Sequence, residues 1–335
     1  MQVSVVMATY NGERYILEQL DSLARQTVYP AELIVSDDGS SDRTLDIVRE
    51  FASTAPFPVR ILTKDKNLGY ANNFLYGATH CTHELIAFCD QDDVWLPNKI
   101  KVERDRIIAD GSVLALHVHM LTDANLHPIE ELKQGIQEDK VCEPLTLDPN
   151  RNAWGNTMMF RREILTSFSY KNRPYKPQYP DRPLSHDKWI YALASGLGRI
   201  SEIREPLALY RQHGKNIYGF SKKNLVTTFL YRVHISMWRF REKMVYFKKL
   251  SEIFYEISQD SSSPFKENAE RSYLFYKKMS DKIRDRLDIY YNRSFFKRAK
   301  AWKKLYGGSS FLKSSPIKDL IVGVSGFHFF LKQTA

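Results

Sequence analysis

The chain has 335 residues, 43% of them apolar and 13% aromatic, with 49 Lys and Arg against 39 Asp and Glu. That composition can bury one large core or two smaller ones, which excludes a mostly disordered chain. No run reaches the roughly 18 consecutive apolar residues of a spanning helix, and the start, MQVSVVMATYNG, lacks a basic leader and a small-residue cleavage site, so a cytoplasmic location is expected.

In chain order, the first two thirds alternate short apolar strands with helical patterns. Val3–Met7 reads as a strand buried on both faces. Asn11 is positioned to cap a helix that carries Ile16, Leu20 and Leu23 on one face. Leu33–Val35 is a second strand, followed by DDGSSD and a helix with Leu45, Val48 and Phe51. Val59–Leu62 and Leu85–Cys89 are the third and fourth strands, and further short strands fall at Val113–Val118, Thr157–Phe160 and Leu207–Tyr210. This alternation predicts βαβ units and a mainly parallel sheet. The segments 121–151 and 173–183 are Pro-rich and read as loops.

After Ser221 the pattern becomes helical. Leu225, Phe229, Val233, Met237, Phe240, Met244 and Phe247 form one stripe, and Tyr276, Met279, Ile283, Leu287 and Tyr290 another, with a Ser-rich link at Ser261–Pro264. The two parts differ sharply in charge. Residues 1–220 hold 25 Lys and Arg and 29 Asp and Glu; residues 221–335 hold 24 and 10, so the whole excess of +10 lies in the last third. A boundary is therefore expected near residues 219–222, with a domain at 1–220 and a basic, aromatic helical region at 221–335. An anionic membrane surface is one partner for that region; packing of its stripes on the first domain, or homodimerisation through them, is the alternative. Nucleic acid is not expected as a partner, because no recognition motif is present and the first domain is acidic. Cys81, Cys89 and Cys142 have no CxxC spacing and are expected to be free thiols.

Ligands of open α/β sheets bind beyond the carboxyl ends of the strands. There the chain places Thr9-Tyr10-Asn11-Gly12, then Asp37-Asp38-Gly39, then Asp90-Gln91-Asp92-Asp93. Three Asp within four residues need a cation, a proton or ample water, since unit charges about 4 Å apart repel by about 4 kcal/mol at an effective dielectric of 20. A hard divalent ion, Mg²⁺ or Mn²⁺, suits such oxygen ligands, and Mg²⁺ is often shared with substrate phosphates. A solvated acidic loop is the competing reading. No GxGxxG follows the first strand and no GxxxxGK[ST] occurs, so a nucleotide would have to be held without those glycine loops.

The order VSVVMATYNG, ELIVSDDGSSD, NLGYANN, LIAFCDQDDVWLP, WGNTMMFRRE, LSHDKWIYALAS, LALYRQHGKN resembles the family 2 glycosyltransferases over about residues 1–216. The CDQDDVW and YRQHG segments are most similar to bacterial rhamnosyl- and surface-polysaccharide transferases. The resemblance implies an A-type glycosyltransferase fold: a Rossmann-like mixed sheet flanked by helices, with a nucleotide-binding half at about 1–110 and an acceptor half at about 111–220. The helical extension lies outside it.

By the same resemblance, Asp38 is the carboxylate for a uracil or thymine base, Thr9 and Tyr10 line its loop, and Asn67 and Gly69 form the next nucleotide-side loop. Asp90 faces ribose or metal, Asp92 is the metal ligand, and His213 completes the metal or diphosphate site, unless it is structural. Asp187 is the base that deprotonates an acceptor hydroxyl; by itself it also reads as a helix N-terminal Asp. Asp93, Trp154, Gly155 and Asn156 are assigned to the sugar and acceptor side, Asp93 with a supporting hydrogen bond as its other reading. Arg211 is assigned to phosphate, and Trp189 to acceptor stacking or to the core. The implied activity is inverting, metal-dependent transfer from a UDP- or dTDP-linked sugar, dTDP-rhamnose among the candidates, to a glycan or lipid-linked glycan acceptor. The absence of a QxxRW block and of multiple spans implies a non-processive enzyme. A catalytically inactive sugar-nucleotide-binding or scaffold protein is the alternative.

Overall fold

The structure, a computed structural model, describes residues 1–149, 151–176, 179–213, 229–292 and 294–306. Contacts divide these residues into two compact units. The first comprises residues 1–173, 184–213 and 260–269; the second comprises the described residues of 174–183, 229–259 and 270–306. The boundary expected at 219–222 lies outside the described residues.

The first unit is built on strands β1 (Val3–Thr9), β2 (Glu32–Asp37), β3 (Val59–Leu62), β4 (Leu85–Asp90), β5 (Val94–Trp95), β6 (Leu114–Thr122), β7 (Pro128–Leu132), β8 (Lys140–Cys142) and β9 (Met158–Arg161). A two-stranded pair, β10 (Tyr175–Lys176) and β11 (Tyr179–Pro183), belongs to the second unit, and β12 (Ile200–Arg211) to the first. The main sheet has the order β3-β2-β1-β4-β9-β6-β12-β5, with β7 on β6 and β8 on β12. β1 to β4, β6 and β12 run one way, while β9, β5, β7 and β8 run against them. The sheet is thus the mixed one that the resemblance to family 2 implies, mainly parallel in its first half. The strands not anticipated are β5, which follows the acidic loop, β7 and β8 within 121–151, and the β10–β11 pair within 173–183; the first three are short pieces of the main sheet. They form because they pair with edges that β6 and β12 offer, not because of their own apolar pattern.

The first unit's helices are α1 (Ile16–Ala24), α2 (Thr44–Thr54), α3 (Tyr70–Thr79), α4 (Lys99–Asp110), α5 (Arg162–Thr166) and α6 (His186–Leu197). β1, central and largely apolar, packs its Val3, Val5 and Met7 with Leu20 and Leu23 of α1 and Val48 and Phe51 of α2. Asn11 does not cap α1. Its φ is +48°, and its Oδ1 accepts from Ser41 N at 2.8 Å, so it ties two loops together instead. The three cysteines are free and buried.

The second unit holds α7 (Phe229–Gln259), most of α8 (Lys266–Tyr291) and α9 (Phe295–Tyr306). Phe254 stacks on Tyr276 at 5.3 Å between ring centroids, and Phe247 lies 5.8 Å from the same ring. Ser280 Oγ donates to Met244 O at 3.2 Å. Phe247 of the first expected stripe thus packs on Tyr276 of the second, whose Tyr290 packs on α9. Leu225 and the side chains of Phe229, Val233 and Met237 lie outside the described residues.

Candidate active site

The carboxyl ends of β1, β2, β4 and β12 lie on one edge of the sheet, and the chain's polar loops meet there. Ala8 of β1 sits beside Asp90 of β4, and Thr9 beside Asp37 of β2. Asp37, the first carboxylate of DDG, is spent on the fold. It accepts from Thr9 Oγ1 at 2.8 Å, Gly39 N at 3.0 Å and Ser40 N at 2.8 Å. Thr9 is itself buried and its carbonyl accepts from Asp38 N at 2.9 Å, so its hydroxyl and its carbonyl both hold the two loops together.

Asp38 accepts from Leu68 N at 2.7 Å and Gly69 N at 2.8 Å, and its own carbonyl takes Asn67 Nδ2 at 2.9 Å. The structure so brings Asp38, Asn67 and Gly69 together, with Asp38 anchoring the 67–69 loop. Each carboxylate oxygen keeps a second lone pair. Lys64 Nζ lies 4.0 Å from Asp38 and bonds Asp37 O at 2.6 Å. Burial pulls Lys64 below the usual lysine range, and the charges of Asp38 and Asp37 oppose that pull.

Tyr10 is exposed, and its backbone exchanges two hydrogen bonds with the Gln91 side chain, at 3.0 and 3.1 Å. Gln91 thereby locks the first loop to the acidic loop. A Cβ at Gly12 would come within 2.2 Å of Gln91 Oε1, so any larger residue there would push the Gln91 amide from these two bonds. Nothing in the sequence pattern distinguished Gln91 from its acidic neighbours.

The acidic loop is closed by β5, whose Val94 pairs with Leu209 of β12. That pairing carries the end of β12 across to Asp92, and His213 Nε2 lies 2.9 Å from Asp92 Oδ2, a contact between residues 121 apart in sequence. The His213 ring rests on Tyr15 at 4.8 Å. Asp90 is partly exposed, but its carboxyl sits deep. Burial, with the charges of Asp92 and Asp187 added, pushes it up to about 8. Asp187 occupies the first turn of α6, where its Oδ1 accepts from Lys188 N at 2.7 Å, in the favourable field of a helix N-terminus.

Beneath these groups, Asp93 is fully buried and does not face a sugar pocket. It accepts from Asn156 Nδ2 at 2.6 Å and Arg211 N at 3.1 Å, joining the 155–157 turn to β12. Burial, then the charges of Asp92 and Asp90, drive it well above the carboxylate range. Asn156 is consumed in the same contact. Trp154 is half-buried and stacks on His119 at 4.7 Å, and Tyr210 stacks on the other side of His119 at 5.1 Å. The Tyr210 hydroxyl is pushed up by burial and then by Asp93, Asp90 and Asp92, which places it beside the carboxylates. Gln134 fixes this corner through Trp154 N at 2.9 Å and Thr157 Oγ1 at 2.8 Å. Tyr210 and Gln134 carried no sequence signal, because each matters only through a distant partner.

Two expected ligand contacts are corrected. The Arg211 guanidinium is buried and donates to Asp92 O at 2.9 Å, Ala124 O at 2.8 Å and Glu18 Oε2 at 2.6 Å. It is a clamp behind the acidic loop, not a phosphate ligand. Trp189 is fully buried, 6.0 Å edge-to-face from Phe168, so it belongs to the core and cannot stack on an acceptor. Gly155 acts through space-filling: a Cβ there would meet His186 Nε2 at 2.4 Å, and His186 is itself stacked on Phe74 at 4.1 Å.

Among the described residues no three His, Cys, Asp or Glu side chains form a ready metal cage. The Asp92–His213 pair, with Asp90 beside it, fits a hard divalent ion in another way: two protein ligands, with the remaining positions left for water and diphosphate oxygens.

Residues 4–168 match the model of glycosyl transferase family 2. An uncharacterized glycosyltransferase of Nostoc sp. is 30% identical over 227 residues, covering 64% of this chain and 66% of the relative, so the chain spans just under two thirds of that protein. The dTDP-rhamnosyl transferase RfbG of Shigella flexneri is 30% identical over 224 residues, covering 64% of this chain and 73% of RfbG. Among solved structures, S. aureus TarS 1–349 in complex with UDP-GlcNAc superposes with a TM-score of 0.53 at 15% identity, covering 98% of this chain and 89% of that one, a likeness of fold alone. With its A-type fold and these sequence matches, the chain belongs to glycosyl transferase family 2.

Proposed function

We propose that this protein is an inverting, metal-dependent, non-processive glycosyltransferase. It uses a UDP- or dTDP-linked sugar, dTDP-rhamnose being one candidate, and acts on a glycan or lipid-linked glycan in surface-polysaccharide assembly. The observation that carries the reading is the Asp92–His213 contact at 2.9 Å beside Asp90 and Asp187. Segments that are remote in sequence thus bring an Asp–His hydrogen-bonded pair and a further carboxylate to the same end of the sheet, which supports a diphosphate side and an acceptor side. The dTDP-sugar named in RfbG and the UDP-GlcNAc in the TarS crystal are both pyrimidine nucleotide sugars, which supports that donor class.

In this reading Asp38 accepts the pyrimidine ring N–H with its remaining lone pairs, and Tyr10, Asn67 and Gly69 border the base. Asp92 and His213 would hold Mn²⁺ or Mg²⁺, with Asp90 contributing to ribose or metal, and the bound ion would supply Lewis-acid neutralisation of the leaving diphosphate. Asp187 takes the proton of the acceptor hydroxyl as that oxygen attacks the anomeric carbon from the opposite side, a contribution of typically about 10²–10⁴-fold. Trp154, with Tyr210 behind His119, borders the transferred sugar. The proposed site of action is the cytoplasmic face of a membrane.

The test is thermal unfolding with UDP, dTDP, GDP, CMP and ATP, each with and without Mn²⁺. A ligand at a hundred times its Kd adds about 2.7 kcal/mol of stability. A metal-dependent shift with UDP or dTDP alone is expected. A shift with none of them, or an equal shift with ATP, overturns the donor assignment.

A further inference from the structure

Helix α9 reads FFKRAKAWKKLY, with no acidic residue along its 12 positions. Its two faces have different surroundings. Trp302 and Leu305, with Ala299 and Ala301, pack on Ile289 and Tyr290 at the end of α8. Arg298 on the same side is buried and donates to Asn292 O at 3.0 Å. The opposite side presents Phe296, 83% exposed; Phe295, 54% exposed, stands at the helix start between the two sides, its ring 5.9 Å from that of Phe296. Exposed Lys297, Lys300, Lys303 and Lys304 follow, three or four residues apart and so on one surface of the helix. Lys304 pairs with Asp285 at 2.8 Å; among the described residues no carboxylate pairs with Lys297, Lys300 or Lys303.

We propose that this face of α9 docks on an anionic lipid bilayer. The lysines meet the headgroups, and Phe295 and Phe296 enter the boundary between headgroups and acyl chains. Charge complementarity selects an anionic surface. The adjacent, water-exposed phenyl rings select one with an apolar layer beneath its charges, which a nucleic-acid backbone lacks. No described helix is long and apolar enough to cross a membrane, so attachment would lie in the plane of the surface. In the α7 and α8 stripes, Phe247 and Tyr276 are buried against each other and Tyr290 against α9, so these rings are not offered to a surface. The inference rests on the proposed lipid-linked acceptor for its purpose, yet binding is measurable without sugar transfer.

The experiment is sedimentation of the full chain with phosphatidylcholine vesicles, with and without about one quarter phosphatidylglycerol. Binding is expected only to the anionic vesicles and should weaken with salt. The triple variant K297E/K300E/K303E should lose at least about 100-fold, at about five-fold per lysine. F295S/F296S should lose at least about ten-fold even at low salt. Both variants should keep the wild-type melting temperature and nucleotide-induced shift. Absent binding of the wild type, or unchanged binding of both variants, overturns the proposal. So does loss of a dimer in F295S/F296S without any vesicle binding, or equal affinity for duplex DNA with no effect of the phenyl rings. A missing nucleotide shift alongside intact vesicle binding would instead overturn the donor reading alone.

Discussion

Replacing Arg211 with Met tests whether the acidic loop is held from behind. The guanidinium gives one hydrogen bond to each of two backbone carbonyls, Asp92 O and Ala124 O, and one to Glu18, and it lies 4.5 Å from the Tyr15 ring centroid. Met preserves the apolar stem but leaves both carbonyls without a charged donor, at about 1.5–3 kcal/mol each. The Glu18 pair adds at most about 1 kcal/mol, because Glu18 is 51% exposed. Relief from burying a charge offsets part of this, so a net loss of about 2–4 kcal/mol is expected. Against a total stability of about 5–15 kcal/mol that is a large fraction, readable as a lowered urea midpoint with an unchanged slope. Because Asp92 loses its backbone restraint, metal-dependent nucleotide binding should also weaken. A variant with the wild-type midpoint but weaker diphosphate binding would refute the clamp and return the guanidinium to the ligand.

Asp187→Asn should keep nucleotide binding and lose about 10²–10⁴-fold in turnover; near-normal turnover would remove Asp187 as the base. Gly155→Ala should cost about 1–3 kcal/mol by overpacking His186, which Phe74 and Phe88 hold at 4.1 and 4.9 Å between centroids. Asp187 follows His186 in α6, so turnover should fall further than nucleotide affinity, and an unchanged melting temperature would show that the ring can move. Burial, helped by the nearby Lys99 charge, depresses His119 to about 3. A depressed histidine contributes stability above its unfolded value, near 6.5, and that contribution is lost as pH falls from there toward 3, at up to about 1.4 kcal/mol per pH unit. His119→Phe should flatten this decline in an unfolding series between pH 6.5 and 4, and an identical slope would refute the assignment.

Local pattern made the nucleotide half legible. β1, β2 and β4 carry apolar runs between helical patterns, and a run of that kind marks a parallel strand buried on both faces. Polar residues that follow such strands must then lie at the carboxyl edge, so the Asp38, Asp90 and Asp92 loops could be placed in advance. The resemblance to family 2 added Asp187 and His213, whose neighbourhood no spacing encodes. What the sequence left open depends on partners far along the chain. β5 exists because β12 offers it an edge, and Gln134 matters because Trp154 needs an acceptor. Arg211 and Trp189 have the side chains of ligand-binding residues, and only their depth shows that one clamps a loop and the other fills a core. Residue type and periodicity determine which elements form and which edge carries the polar loops. Tertiary packing decides which of those polar groups are spent on the fold and which remain for a ligand, because capacity matters as well as depth: Asp37 and Asp38 are both buried, but Asp37 already accepts from four donors while Asp38 accepts from two and keeps lone pairs for a third.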